Sequence, residues 1–150
     1  MEKDLAAANV NRSYQLTAIS IAIFTFMLGF LYPRYASGEV NSLLFQAVFV
    51  VMGLATFSFL FAALCFYATS LQDRFDAARR VSYARYGNLF WLAGTTMLLL
   101  APSVVLATVG LVIVAAFWFL LWLVFVVFMI RNFPLVLLEP TDRQDGSQTG

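Results

Sequence analysis

Long apolar runs, separated by short polar stretches, set the pattern of this chain. Residues 14–32 and 43–70 contain no charged side chain, and neither does the longer run 86–130. A helix of about 20 mainly apolar residues crosses the ~30 Å hydrocarbon core of a bilayer. Backbone amides in lipid must find their hydrogen bonds within such a helix. The pattern therefore predicts transmembrane helices at about 14–32 and 43–70.

The run 86–130 is too long for one crossing, because a straight helix of that length would extend about 67 Å. Proline suits the first turn of a helix and disfavours helix at the residue before it. This favours a turn at 101–103, around Pro102. The alternative is a turn at 108–110, with Pro102 as a kink. The first choice predicts spans at about 14–32, 43–70, 81–101 and 104–132.

Lysine and arginine are concentrated on one side of the predicted four-span arrangement. Only Arg34 lies between spans one and two, and the other eight lie before span one, between spans two and three, or after span four. Positive residues near span ends mark the cytoplasmic side. Four spans with both termini in the cytoplasm are therefore predicted. The eight residues are Lys3, Arg12, Arg74, Arg79, Arg80, Arg85, Arg131 and Arg143.

The same reasoning divides the chain into three parts. A cytoplasmic segment at 1–13 precedes a four-helix transmembrane domain at 14–132, which includes a cytoplasmic arginine-rich segment at 71–85. A short, largely disordered cytoplasmic tail follows at 133–150. A cleaved signal peptide is the competing interpretation of the first run, since residues 36–38 are small. The acidic residues Glu2 and Asp4 oppose it.

Composition agrees with a membrane protein. Hydrophobic residues make up 62% of the 150 residues and charged residues 11%, against about 45–50% and ~25% in soluble domains. Such a chain cannot cover its surface with polar groups, so we expect that surface to face lipid. The net charge of +1 gives no case for nucleic acid. The predicted fold is an all-α integral membrane four-helix bundle with short loops, in the plasma membrane.

Residues able to carry catalysis are scarce. The chain has no histidine and one cysteine, Cys65, and the uncharged runs hold no ionisable Asp, Glu, Lys or Arg. Ionisable groups within spans usually mark proton relays and coupled transport, and the polar segments are too short for a separate folded domain. We therefore expect no catalytic residue, no metal site, no cofactor and no enzymatic activity.

The arginine-rich segment is the most informative polar feature. Asp76 pairs with Arg80 at i,i+4 and with Arg79 at i,i+3, which are helical spacings. One interpretation is a topology anchor that touches anionic lipid headgroups. The other is a docking site for a cytoplasmic partner or anionic ligand, which the guanidinium fork would suit. The candidate docking residues are Arg74, Arg79, Arg80 and Arg85.

Small and aromatic residues are candidates for helix packing. Helices in lipid associate where small side chains let backbones approach. Trp118 and Trp122 share a helical face, and Trp122 lies about 14 Å from Arg131, near the midplane, so its indole N–H needs a partner such as a backbone carbonyl. Packing in one bundle, an interface with another subunit and a lipid or quinone groove all fit. The candidates are Ser58, Ala62, Gly94, Gly110, Trp118 and Trp122.

No motif in the chain identifies a family. The layout is shared with several small four-span proteins, including phage-exclusion channel proteins, but topology alone does not imply function. The leading hypothesis is a non-enzymatic membrane subunit or scaffold. It would assemble through its helix faces as a homo-oligomer or with another membrane subunit, and would dock a partner or anionic lipid through its arginines. The alternative is an oligomeric pore, such as a membrane-depolarising effector.

Overall fold

Four α-helices form the chain in a computed structural model, which describes residues 2–71 and 76–132, with side chains from residue 7 onward. Each helix is long and apolar enough to cross a membrane. The prediction of an all-α chain with four candidate spans is therefore confirmed. The helices are α1 (Glu2–Ala36), α2 (Ser42–Ser70), α3 (Ala77–Thr108) and α4 (Val112–Asn132).

Two glycines reverse the chain at the same end of the helices. Gly38 and Gly110 have φ angles of +78° and +82°, a left-handed conformation that glycine adopts without steric cost. After Gly110, the Leu111 N–H donates to the Leu106 carbonyl at 3.0 Å, and the Gly110 N–H donates to Ala107. This is the Schellman pattern that ends a helix. The residues around Gly38 form the same pair of bonds.

The preferred turn at 101–103 is wrong, because Pro102 lies inside α3. The alternative at 108–110 places the turn correctly. Proline removes one backbone hydrogen bond and tends to kink a helix, yet α3 continues to Thr108. The reversal instead occurs at Gly110, which adopts a positive φ angle. The third and fourth candidate spans are thus Ala77–Thr108 and Val112–Asn132, in place of 81–101 and 104–132.

Two further boundaries differ from the prediction. Helix α1 begins at Glu2, so most of the predicted segment 1–13 is helical, and the helix continues past Pro33 to Ala36. Helix α3 begins at Ala77, so much of the arginine-rich segment is helix rather than loop. Alanine and arginine, which recur in its first turns, both have high helix propensity. The predicted tail at 133–150 lies outside the described residues.

The helices pack as three successive antiparallel pairs, α1 with α2, α2 with α3 and α3 with α4. Helix α2 is central and has more buried residues than any other helix, whereas α4 buries only Ala115 and packs extensively against α3 alone. We call the end where α1 and α3 begin and α2 and α4 end the arginine-rich end. The opposite end carries the turns at 37–41 and 109–111.

Candidate functional site

The contact between α2 and α3 is built from phenylalanine rings set against glycines. A Cβ atom added at Gly94 would lie 2.9 Å from Cε1 of Phe59, and one added at Gly87 would lie 2.9 Å from Cε1 of Phe66. Phe59 is fully buried and Phe66 is 6% exposed. Because no side chain larger than hydrogen fits, these four residues, here the glycine seam, hold the two backbones close.

The glycine seam follows a seven-residue spacing on both helices, the spacing typical of helices that stay in contact along a seam. Seven residues before Phe59 lies Met52, and seven residues after Gly94 lies Ala101. These two residues belong to the same buried cluster. Gly94 was a sequence candidate, whereas Gly87 and both phenylalanines were missed. The signal was present, because Phe59 and Phe66, like Gly87 and Gly94, are seven residues apart.

The other packing candidates lie in different settings. On α2, Ala62 is fully buried and Ser58 is half-buried. Gly110 lies in the α3–α4 turn rather than inside a span, and a Cβ atom there would meet open space. Its position is explained by its φ angle, so the structure corrects its placement in span four.

Three hydrogen bonds tie α4 to α3. The indole N–H groups of Trp118 and Trp122 donate to the carbonyl oxygens of Leu99 and Thr96, each at 2.8 Å. The third bond runs from the Ser103 hydroxyl to the Ala115 carbonyl at 3.0 Å. The partner that the Trp122 indole was expected to need is thus a backbone carbonyl. Each such bond between helices in lipid is worth about 0.6 kcal/mol on average.

The proline in α3 lies beside these bonds. Pro102 has no N–H to donate to the Leu98 carbonyl four residues earlier. The Leu99 carbonyl of that turn accepts the Trp118 indole. The proline that was expected to form a turn therefore lies inside α3, close to the backbone carbonyls that accept hydrogen bonds from α4.

Arginines gather at one end of the described helices. The Arg12 guanidinium lies 4.7 Å from the centre of the Trp91 ring, a cation–π contact between α1 and α3. Arg79 and Arg85 are exposed on α3, and Arg80 is half-buried there, with no hydrogen-bond partner for its Nε atom among the described residues. The fourth predicted docking residue, Arg74, lies outside the described ranges.

A groove of about 190 Å³ lies between α3 and α4 beneath this end. Its walls are one face of α3 and the last two turns of α4. The only polar residue in its lining is Thr96, whose hydroxyl donates to backbone carbonyls of its own helix. The lining residues are Leu89, Leu92, Ala93, Thr96, Val126, Met129 and Ile130.

A larger cleft of about 440 Å³ lies halfway along the helices, and every helix contributes to its wall. Met27 comes from α1, Met52 from α2, Pro102 from α3 and Trp118 from α4. It marks the space left because α4 packs extensively on α3 alone. Both spaces are apolar, and among the described residues no three His, Cys, Asp or Glu side chains come together.

Comparison with known proteins assigns no family. No family model, no curated protein and no solved structure matches the chain. The features that bear on function are therefore the helix seams, the arginine-rich end and the apolar faces.

Proposed function

We propose that the chain is a non-enzymatic integral membrane protein that assembles through its helix faces. Four apolar helices are compatible with a small membrane protein. The distribution of arginine and lysine favours the arginine-rich end on the cytoplasmic side of the plasma membrane, with both termini there. In this proposal the arginines contact anionic headgroups or a cytoplasmic partner, and the helix faces bind other copies or another membrane subunit.

The observation that carries the assembly proposal is the outer face of α4. On one side this helix packs on α3, and on the other it exposes an apolar stripe with 3-4-3-4 spacing. We call this the outer stripe; its members are between 47% and 68% exposed. Such spacing keeps one face of a helix against a partner over several turns. The outer stripe is Val114, Phe117, Leu121, Val124 and Phe128.

Cysteine cross-linking tests this proposal in membranes. Cys65 is the chain's own cysteine, so Cys65→Ala provides a background for single substitutions. Phe117→Cys and Val124→Cys, both on the outer stripe, are expected to form disulfide-linked dimers under mild oxidation. Phe57→Cys on α2 is the matched control, since Phe57 is 60% exposed and lies off the stripe. It should remain monomeric.

Mass measurement in mild detergent provides the second arm. The chain has a mass of 16.8 kDa, so assembly predicts a protein mass of several times that value or a complex with a companion subunit. A lone monomer, together with equal cross-linking at the outer stripe and at Phe57, would contradict assembly through α4.

The polar groups within the helices do not favour the alternative of a pore lined by threonine and serine. Thr25, Thr56, Thr95 and Thr108 each donate a hydroxyl hydrogen bond to a carbonyl of their own helix. Hydroxyls bonded in this way present little free donor capacity to water. Ion flux into protein-containing vesicles distinguishes the two functions, because a non-conducting subunit predicts no flux above that of empty vesicles.

A further inference from the structure

Three residues on different helices lie at one depth at the arginine-rich end. The Phe66 ring packs against Gly87, so the adjoining Tyr67 of α2 and Tyr86 of α3 lie level in this antiparallel pair. The three hydrogen bonds that join α3 to α4 share one register, because the residue numbers of each bonded pair add to 217 or 218. That register sets Arg131 level with residue 87 of α3. Tyr67, Tyr86 and Arg131 therefore mark one depth, here the arginine level.

The two turns define a second depth at the opposite end. A cleft of about 390 Å³ there is lined by Arg34 of α1, Leu44 of α2 and Thr108 of α3. Beside it, the Tyr35 ring stacks on the Phe45 ring with their centroids 4.4 Å apart. These residues of three helices therefore lie close to one depth, here the turn level.

The distance between the two levels is close to the thickness of a hydrocarbon core. Along α3, the helix rises about 33 Å from Tyr86 to Thr108. Along α4, it rises about 29 Å from Val112, just after the turn, to Arg131. The hydrocarbon core of a typical bilayer is ~30 Å thick. The stretches of α2, α3 and α4 between the levels contain no charged side chain.

Tyrosine rings and the first charges flank this apolar surface at both levels. Tyr67 and Tyr86 are exposed at the arginine level, and Tyr35 is exposed at the turn level. Tyrosine prefers the membrane–water interface, where the ring is buried and the hydroxyl stays wet. Arg131 and Arg34, which are the nearest charges on their helices, lie at the same two depths. The surface between the levels therefore fits the apolar layer of a bilayer.

Only some helices stop at the arginine level. Helix α4 ends at Asn132, whereas α3 extends about 14 Å beyond Tyr86 to its first residue, Ala77. The headgroups add about 5–8 Å on each side of the core, and Arg79 lies about 10 Å beyond the level. Helical side chains lean toward the helix N-terminus, which here points away from the core.

We propose that the chain binds a bilayer whose hydrocarbon core is about 30 Å thick and is bounded by these two levels, with the first turns of α3 projecting through the headgroups into water. This inference rests on the proposed function, and it adds the boundary residues, the thickness and the projection. It assigns Arg131 to the headgroup layer and Arg79 to the water beyond it.

Depth measurement with a fluorescent probe tests this arrangement on the full chain. In the Cys65→Ala background, an environment-sensitive fluorophore is attached to Phe57→Cys, Leu89→Cys or Ala78→Cys, all at exposed positions. Phosphatidylcholine vesicles carry a nitroxide on the headgroup or at a shallow or deep acyl position. The register predicts depths of about 15 Å inside the arginine level for Phe57, about 5 Å inside for Leu89 and about 12 Å outside for Ala78.

The expected quenching follows from these depths. The deep nitroxide should quench the Phe57 probe most and the shallow nitroxide the Leu89 probe most. The Ala78 probe should respond to a water-soluble quencher and to neither acyl nitroxide. Leu89 and Ala78 lie on the same helix, so each is the matched control for the other. Equal depths for these two probes, or a Leu89 probe open to the water-soluble quencher, would overturn the boundary at the arginine level.

Bilayer thickness provides a second measurement. In phosphatidylcholines of increasing acyl length, stability against thermal unfolding should be highest where the hydrocarbon core is about 30 Å and should fall in thinner and thicker bilayers, since a mismatch in length carries a cost. Stability that does not depend on thickness would contradict the assigned boundaries. Failure of the chain to float with any of the vesicles would instead refute the membrane-protein proposal itself.

Discussion

Replacing Gly94 with alanine tests the glycine seam between α2 and α3. The new Cβ atom would lie 2.9, 3.0 and 3.1 Å from three carbons of the Phe59 ring, inside ordinary van der Waals contact. Phe59 has no exposed surface, so its ring cannot move aside without disturbing other buried residues. Overpacking of this kind typically costs about 1–3 kcal/mol.

A second glycine substitution isolates that steric cost. Alanine raises helix propensity by up to about 1 kcal/mol over glycine, which partly offsets the clash at Gly94. Gly53 lies inside α2, and a Cβ atom added there would meet nothing within 4 Å, so Gly53→Ala carries the propensity gain without the clash. The difference between the two variants therefore measures the steric term, and we expect Gly94→Ala to be less stable by about 1–3 kcal/mol.

Reversible unfolding in mixed detergent micelles, followed by circular dichroism, supplies the free energies. Phe59→Leu in the Gly94→Ala background should recover part of the loss, because the ring that clashes is gone. A coupling energy of about 0.5–3 kcal/mol is typical of residues in contact. Equal stability of the Gly94→Ala and Gly53→Ala variants, within about 0.5 kcal/mol, would refute the close contact.

Three other substitutions test the turn and the α3–α4 bonds by the same unfolding measurement. Ser103→Ala removes an interhelical hydrogen bond and should cost about 0.6 kcal/mol, and at most ~1.7; Thr25→Ala, which loses only a bond within its own exposed helix face, should cost less. Trp122→Phe should cost at least as much as Ser103→Ala, since it also loses ring contact. Gly110→Ala forces a φ angle of +82° on alanine and should cost about 1–2 kcal/mol; a neutral result would place the turn elsewhere.

The number of helices could be read from the sequence, but one turn could not. Uncharged runs long enough to span a bilayer fix how many helices form. They do not locate the turn within 86–130, for which Pro102 and Gly110 are both candidate positions. Pro102 removes only one donor and is kept inside α3, whereas the reversal occurs at Gly110, where the left-handed conformation ends the helix. The position of this turn therefore follows the glycine rather than the proline.

The packing partners were harder to predict than the helices. Helices apolar on every face have no amphipathic side to identify the buried surface. Gly94 and Ala62 could be named as small residues, but pairing Phe59 with Gly94 requires the register of α2 on α3. The hydrogen bond of Trp122 was easier to predict, because a buried indole N–H requires an acceptor wherever it lies.

The positions of the arginines could also be predicted only in part from the sequence. Their clustering at one end of the helices follows from the order of spans alone. That Arg79 and Arg85 lie on α3 rather than in a loop depends on where this helix begins, at Ala77.

Labelling of single cysteines is the most direct test of the proposed membrane arrangement. In the Cys65→Ala background, Ser37→Cys and Leu111→Cys lie at the opposite end of the helices, and Ala78→Cys lies at the arginine-rich end. With a membrane-impermeant maleimide added to intact cells, positions 37 and 111 should both react, and position 78 should react only after permeabilisation. Reaction of 37 and 111 from opposite sides, or of 78 together with them in intact cells, would contradict four spans with the arginines in the cytoplasm.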